Sequence, residues 1–280
     1  MACTTIQTAT PRIGRAAGLL GLAAFLAQGL GAVEPLRVAP GGVVRWPGQD
    51  VSGCAQQGES FEPIGGACWY AVDLLAPEGP LELERTRAGV KELRRVMVGD
   101  YPYPVQRLDV EERMVHLSDA DLARVARENR RIAAAFQTRG PRRFELPLAA
   151  PLERMSGGSR FGARRYFNGE PRSPHSGADY KASTGTPVFA VARGEVVLAE
   201  EHFFAGKSVF IDHGDGLISM SFHLSAIAVE PGDTVERGQR VGAVGATGRV
   251  TGAHLHFALR WRGARVNPAL LLANAEVPAL

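Results

Sequence analysis

The sequence has little net charge, few cysteines, no internal repeat and no low-complexity tract. Its formal charge is only +3. It also lacks the cluster of Lys and Arg through which phosphate-driven affinity arises, so nucleic acid is not an expected partner. Long stretches free of Gly and Pro are scarce, with 33 Gly and 18 Pro in the chain. That excludes a helical bundle and favours strands and tight turns. The apolar share of 45% and charged share of 22% describe a globular chain, neither disordered nor collagenous nor a multi-span membrane protein.

Charge is missing altogether from one segment, and there the absence is informative. Arg12 and Arg15 precede an apolar run from Ala16 to Ala27, small residues follow at Gly29, Gly31 and Ala32, and no acidic residue interrupts. Residues 1–32 therefore read as an export signal cleaved near Ala32. An uncleaved anchor is the competing reading, but Gln28 and the glycines make a poor spanning helix, which needs about 20 apolar residues. Cleavage would remove both arginines and leave a net charge of about +1. It would also remove Cys3, leaving Cys54 and Cys68 as a pair. In an oxidising compartment such a pair is expected to be a disulfide, the alternative being two buried thiols. The expected location is periplasmic or secreted, with no stable membrane insertion once the leader is gone.

The mature chain divides into three parts by pattern. From 33 to 115, short apolar stretches (Val43 to Trp46, Cys68 to Leu75, Leu81 to Leu83, Val96 to Val98) alternate with Gly and Pro turns, which predicts a small antiparallel, sandwich-like β domain. Within 116–143, Ser118 and Asp121 form a capping-box-like start. Leu122, Val125, Ala126, Ile132, Ala133 and Phe136 then recur at helical spacing until Gly140 and Pro141, predicting one linking helix of about five turns. Arg124, Arg127, Arg130 and Arg131 form its polar face, expected to be solvated. From 144 to 280 the pattern returns to strands and turns, predicting an all-β domain in a mainly β protein.

Six of the 7 histidines lie between His175 and His256. His254-Leu255-His256 on a strand would put both imidazoles on one face and Leu255 and Phe257 on the other. His175 and Asp179, four residues apart among Pro and Gly, offer one nitrogen and one anionic oxygen ligand from an extended or looped backbone. In GLISMSFHLS, Leu217, Ser219, Ser221 and His223 alternate with Ile218, Met220 and Phe222, which predicts His223 on the polar face. His-x-His alone reads better as ordinary surface histidines and the His175/Asp179 pair alone is weak; the three fragments together predict a site. His116, His202 and His213 carry no such signal, and His213, in a Gly-rich turn, is expected to hydrogen-bond turn backbone. Arg172, just before His175, could meet a substrate carboxylate.

The segments HSGADY, SMSFHLS and TGRVTGAHLHF resemble the three signature segments of the lysostaphin-type zinc peptidases, and the likeness runs from about Phe161 to Leu272. The resemblance implies an all-β peptidase domain at 144–280 and Zn2+ as cofactor. It assigns His175, Asp179 and His256 as zinc ligands and His223 and His254 as non-ligand active-site histidines. The family's segment around His223 usually carries tyrosine where this chain has Phe222. Two imidazoles and one carboxylate would leave the metal an open fourth position, as catalytic zinc requires. The implied partner is the peptide stem of peptidoglycan, and the implied activity is hydrolysis of its D-alanyl-to-diamino-acid cross-links. A non-enzymatic wall-binding activator is the alternative; such relatives lack ligand residues, whereas every motif position is filled here. A Gly-Gly endopeptidase would share the metal chemistry and differ in the groove.

Overall fold

The turn-punctuated apolar stretches build four β-sheets and one helix in a computed structural model that describes residues 34–112, 115–157, 160–273 and 275–280. The expected leader lies outside these residues. Pro35–Leu280 form one compact unit.

The N-terminal part contains two of the sheets. Val43–Pro47 pairs antiparallel with Ala67–Ala71. A five-stranded sheet runs in the order Arg37–Val38, Val90–Val98, Gly79–Arg87, Val51–Gln56, Glu59–Phe61. Val44, Trp46, Tyr70, Leu83 and Val96 pack between the two sheets, giving the sandwich-like arrangement expected from the pattern. Cys54 and Cys68 are bonded there, with Cα atoms 5.6 Å apart. By loop entropy this closure is worth about 3 kcal/mol.

The helix spans Asp119–Ala135, and the Ser118 side chain caps the Asp121 N–H. Its period agrees with the sequence reading, but its phase differs. Leu122 is 53% exposed while Glu128 is buried. Glu128 accepts from the Phe203 N–H at 3.0 Å and from Arg124 at 2.7 Å, so a satisfied acid replaces an apolar contact on the packed face. Ile132 and Phe136 pack on Phe210, Ile218, Met220 and Ala258, which seats the helix on the large sheet.

That sheet has nine strands. Its main path is Ala178–Tyr180, Leu255–Trp261, Leu217–Ile227, Gly206–Asp212, Gly194–His202, Thr234–Val235; Arg240–Val244 branches from Leu217–Ile227 and pairs in turn with Pro187–Phe189, and Ala264–Val266 joins Leu255–Trp261. All these pairings are antiparallel. Leu255, Phe257, Leu259 and Trp261 face one core that also takes in Val43, Ile64 and Ala71 from the N-terminal part. Two arginine clamps reinforce this junction. Arg265 grips Asp73 at 2.6 and 2.9 Å, and Arg262 binds Asp215 at 2.5 Å while donating to the Trp69 carbonyl at 2.9 Å.

A further pairing spans the chain. Val105–Leu108 runs parallel to Arg164–Phe167, which pairs antiparallel with Glu170–Arg172. This three-stranded sheet carries N-terminal residues to the mouth of the site.

Candidate metal centre and active-site cleft

The alternation of Leu255–Trp261 decides where the chemistry sits. Because Leu255, Phe257 and Leu259 enter the core, His256 must project from the opposite face. Asp179 lies directly across from His256 in antiparallel register, so the two side chains share that face as close cross-strand neighbours. His175 arrives from a loop pinned at both ends: its N–H donates to the Ala163 carbonyl at 3.0 Å and its carbonyl accepts from the Gly162 N–H at 2.7 Å.

Three ligand-type atoms converge as a result. His175 Nε2 lies 3.0 Å from Asp179 Oδ1 and 2.7 Å from His256 Nδ1, and His256 Nδ1 lies 2.8 Å from Asp179 Oδ1. His175 Nδ1 is 2.9 Å from the Arg160 carbonyl. A carbonyl can only accept, so that nitrogen carries the proton and Nε2 of the neutral ring presents a lone pair. The lone pair faces a carboxylate oxygen, so two acceptors oppose each other across a gap that a cation would satisfy. This donor set fits a metal ion, and among the described residues His175, Asp179 and His256 are the cluster able to hold one.

Electrostatics supports the same reading. Burial lowers the His175 pKa and pushes that of His256 down to about 4, favouring neutral imidazoles. Burial alone would raise the pKa of Asp179, but the close approach of the His175 and His256 rings outweighs it and holds the carboxyl far below the usual carboxylate range.

His223 and His254 stand beside this cluster, with ring centroids 5.1 Å apart. His254 keeps to the face of His256, as expected. His223 reaches the site by another route. Leu217 belongs to the core and Ser219 and Ser221 are buried, so the face read as polar is the inward one, while Phe222 pairs with His256. Strict alternation would bury His223 away from the His-Asp-His cluster. Instead its backbone adopts φ +62°, its N–H leaves the ladder for the Ala205 carbonyl at 2.9 Å, and the strand pairings shift register around it. This bulge re-aims the imidazole, bringing its ring centroid to 5.9 Å from that of His256. The Nδ1 atoms of His223 and His254 each donate to a backbone carbonyl, of Thr247 and Gly252 respectively, at 2.9 Å. In the neutral tautomer this leaves each Nε2 as the acceptor nitrogen. Burial pushes the His223 pKa down to about 3.

The cluster opens into a cleft of about 510 Å³ lined by His223, His254, His256, Asp179 and Phe222. Three lining features were not visible in the sequence. Arg165 and Arg249 face the cleft, and Gln106, Leu108 and Val110 reach it from the N-terminal part. The strand pairing that places Gln106 beside Arg165 joins residues far apart in the chain, and no local period announces it. Arg172 is engaged by Glu170 at 2.6 Å and donates to the Val115 carbonyl at 3.4 Å. His213 bonds the Arg193 carbonyl and Ser219, His202 is buried against Ser208, and His116 lies beside Glu112. None of these three lines the cleft.

Residues 173–268 match the profile of Peptidase family M23. A crystal structure from Pseudomonas aeruginosa assigned to peptidase M23 aligns with TM-score 0.63 at 34% sequence identity, covering 83% of this chain and 94% of that one. The chain belongs to peptidase family M23. Among curated M23-like relatives, the peptidoglycan DD-endopeptidase ShyA of Vibrio cholerae is 47% identical over 95 residues, which is 34% of this chain and 22% of that protein. ShyC of the same organism, also named a peptidoglycan DD-endopeptidase, is 37% identical over 123 residues, 43% of this chain and 28% of its own length. The chain thus matches only 22% and 28% of the length of these relatives. The His-Asp-His cluster and the two further histidines all lie within 173–268.

Proposed function

We propose that this protein is an exported zinc metallo-endopeptidase that hydrolyses peptide cross-links of bacterial peptidoglycan, at bonds between D-alanine and a diamino acid. The observation that carries the reading is the convergence of His175 Nε2, Asp179 Oδ1 and His256 Nδ1 within 2.7–3.0 Å, beside two histidines whose Nε2 atoms are acceptors. Two relatives named peptidoglycan DD-endopeptidases support the substrate class.

In this reading His175, Asp179 and His256 hold the metal. Two nitrogen donors and one oxygen suit zinc, and three protein ligands are the count of a catalytic site. Bound zinc supplies Lewis acidity, which polarises a scissile carbonyl and makes water nucleophilic near neutral pH. The chain's own residues manage the proton and the geometry. With Nδ1–H committed to backbone, Nε2 of His223 or His254 accepts a proton from the attacking water, and the resulting imidazolium then donates to the developing oxyanion or the leaving amine. Phe222, tilted against His256 at 5.2 Å, keeps that side of the cleft dry.

The leader at 1–32 directs the chain to the periplasm or beyond. The division into an N-terminal β domain (33–115), a helical linker (116–143) and a peptidase domain (144–280) is a functional one. The N-terminal part orients access to the metal, as the place of Gln106, Leu108 and Val110 on the cleft wall favours. A wall-binding activator without activity is the competing reading, and the complete ligand set argues against it. Digestion of purified sacculi with the mature protein, followed by mass spectrometry of the muropeptides, tests the reading. Cross-linked dimers should fall to monomers, chelation should abolish the change and zinc should restore it. Intact dimers in the presence of zinc would refute the activity.

A further inference from the structure

One wall of the cleft carries more positive charge than the metal cluster needs. Arg165 and Phe167 alternate onto the same side of Arg164–Phe167, and their parallel partners Gln106 and Leu108 do likewise; all four line the cleft. Arg160, Arg165, Lys181 and Arg249 line it as cations, against the single acid Asp179. Asp179 already turns Oδ1 to His175 and His256, at 3.0 and 2.8 Å. Among the described residues no salt bridge closes Arg165. Its Nε and the neighbouring Gln106 Oε1 are buried without a hydrogen-bond partner. Arg249 is fixed nearby with its guanidinium over Phe204 at 4.1 Å and Phe167 at 4.6 Å.

A partly buried guanidinium without an anion is costly, and a planar carboxylate answers its fork of donors in two parallel bonds. We propose that Arg165, with Arg249 beside it, forms a carboxylate subsite that reads a free carboxyl group on the carbon bearing the scissile amide nitrogen. This rests on the peptidase reading above and sharpens its substrate class. A D-alanyl bond to the amine of a diamino acid whose adjacent carboxyl is free presents such an anion, and so does a D-alanyl-D-alanine terminus. A polyglycine bridge presents only neutral amides there. The subsite therefore selects the first two and disfavours the third, with the cut made on the carbonyl side of the nitrogen and the carboxylate leaving unchanged on the amine product. Arg172, the candidate from sequence, is occupied by Glu170, and the role passes to Arg165.

The test uses the full-length protein and one synthetic stem peptide ending in D-alanyl-D-alanine, made as the free acid and as the C-terminal carboxamide. Affinity is read by calorimetry on metal-stripped protein and cleavage by kcat/KM on zinc-loaded protein. Wild type should bind and cleave the acid about 10- to 100-fold better than the amide. Arg165→Gln should lose that preference, its loss on the acid exceeding any loss on the amide by the same factor, while keeping its zinc, and Arg165→Lys should restore part of the preference. Equal treatment of the two peptides by wild type overturns the subsite while cleavage of both leaves the peptidase standing. An equal loss on both peptides in Arg165→Gln overturns it as well, since that would mark a residue that only positions the fold. Arg165-dependent binding of the acid with no cleavage would uphold the subsite and remove the peptidase reading.

Discussion

Two neighbouring strands each bring histidine to the site, and they obey different rules. Leu255–Trp261 keeps its alternation throughout, so Leu255, Phe257 and Leu259 fill the core while His256 turns to Asp179. Leu217–Ile227 keeps it only as far as Phe222. His223, at φ +62°, breaks the period and swings to the face its neighbours would deny it. In the first strand period alone places the functional group. In the second the placement depends on backbone strain, held by contacts from elsewhere in the fold, a common arrangement at functional sites.

The largest effects should separate the two classes of histidine. Alanine at His175, Asp179 or His256 removes a proposed ligand, so zinc content and activity should fall together, with activity dropping more than about 10⁴-fold. Alanine at His223 or His254 leaves the ligand set complete. Zinc measured by atomic absorption should stay while kcat drops about 10²- to 10⁴-fold, as for other proton-transfer and oxyanion groups. If His254→Ala loses its metal while His256→Ala retains it, the order of ligand and non-ligand along the regular strand is reversed.

Next come two glycines, each guarding one strand's histidine. A Cβ at Gly177 would lie 2.6 Å from His256 Nε2 and 2.7 Å from the Phe257 carbonyl. Gly177→Ala should therefore displace a ligand and lower zinc affinity. A Cβ at Gly206, itself at φ +62°, would lie 2.4 Å from the Thr247 carbonyl oxygen, the same oxygen that accepts from His223 Nδ1. Gly206→Ala should cost about 3 kcal/mol or more and slow turnover with zinc retained. Equal zinc loss in both variants would show that the bulge and the ligand face are not separable.

The same contrast explains what was legible in the sequence. The shared face of His254 and His256 and the Ser118 cap follow from local spacing, whereas the grouping of His175, Asp179 and His256 follows only from the resemblance; the structure brings those three side chains together. The helix was legible in period but not in phase, because Glu128 is buried by its bonds to Phe203 and Arg124, and hydropathy does not count hydrogen bonds. The side on which His223 emerges was misread because both faces of its strand are buried, so the serines carry no information about solvent. The cationic wall was missed because it needs Val105–Leu108 to pair with Arg164–Phe167, a contact without a local signature.

The smallest expected effect tests the inward face of the irregular strand before its bulge. Ser219 is buried there and needs a partner, which His213 provides. His213 Nδ1 donates to the Arg193 carbonyl at 2.9 Å, leaving Nε2 to accept from the Ser219 hydroxyl at 2.8 Å. Burial holds the His213 pKa down at about 4, against an ordinary value of 6.5. Between those pH values the unfolded chain binds a proton that the folded protein does not, so stability rises with pH. The contribution is fully present above pH 6.5 and is lost as pH falls toward 4, by about 2 kcal/mol at pH 5. His175, His223 and His256 also have lowered pKa values and add slopes of the same sign. The measurement is therefore a difference: urea unfolding of wild type and His213→Gln from pH 7.5 to 4.5. Wild type should lose about one proton's worth of slope more than the variant. Parallel curves would mean that His213 takes up its proton in the folded state as readily as in the unfolded one, and that Ser219 is held by something other than the neutral ring.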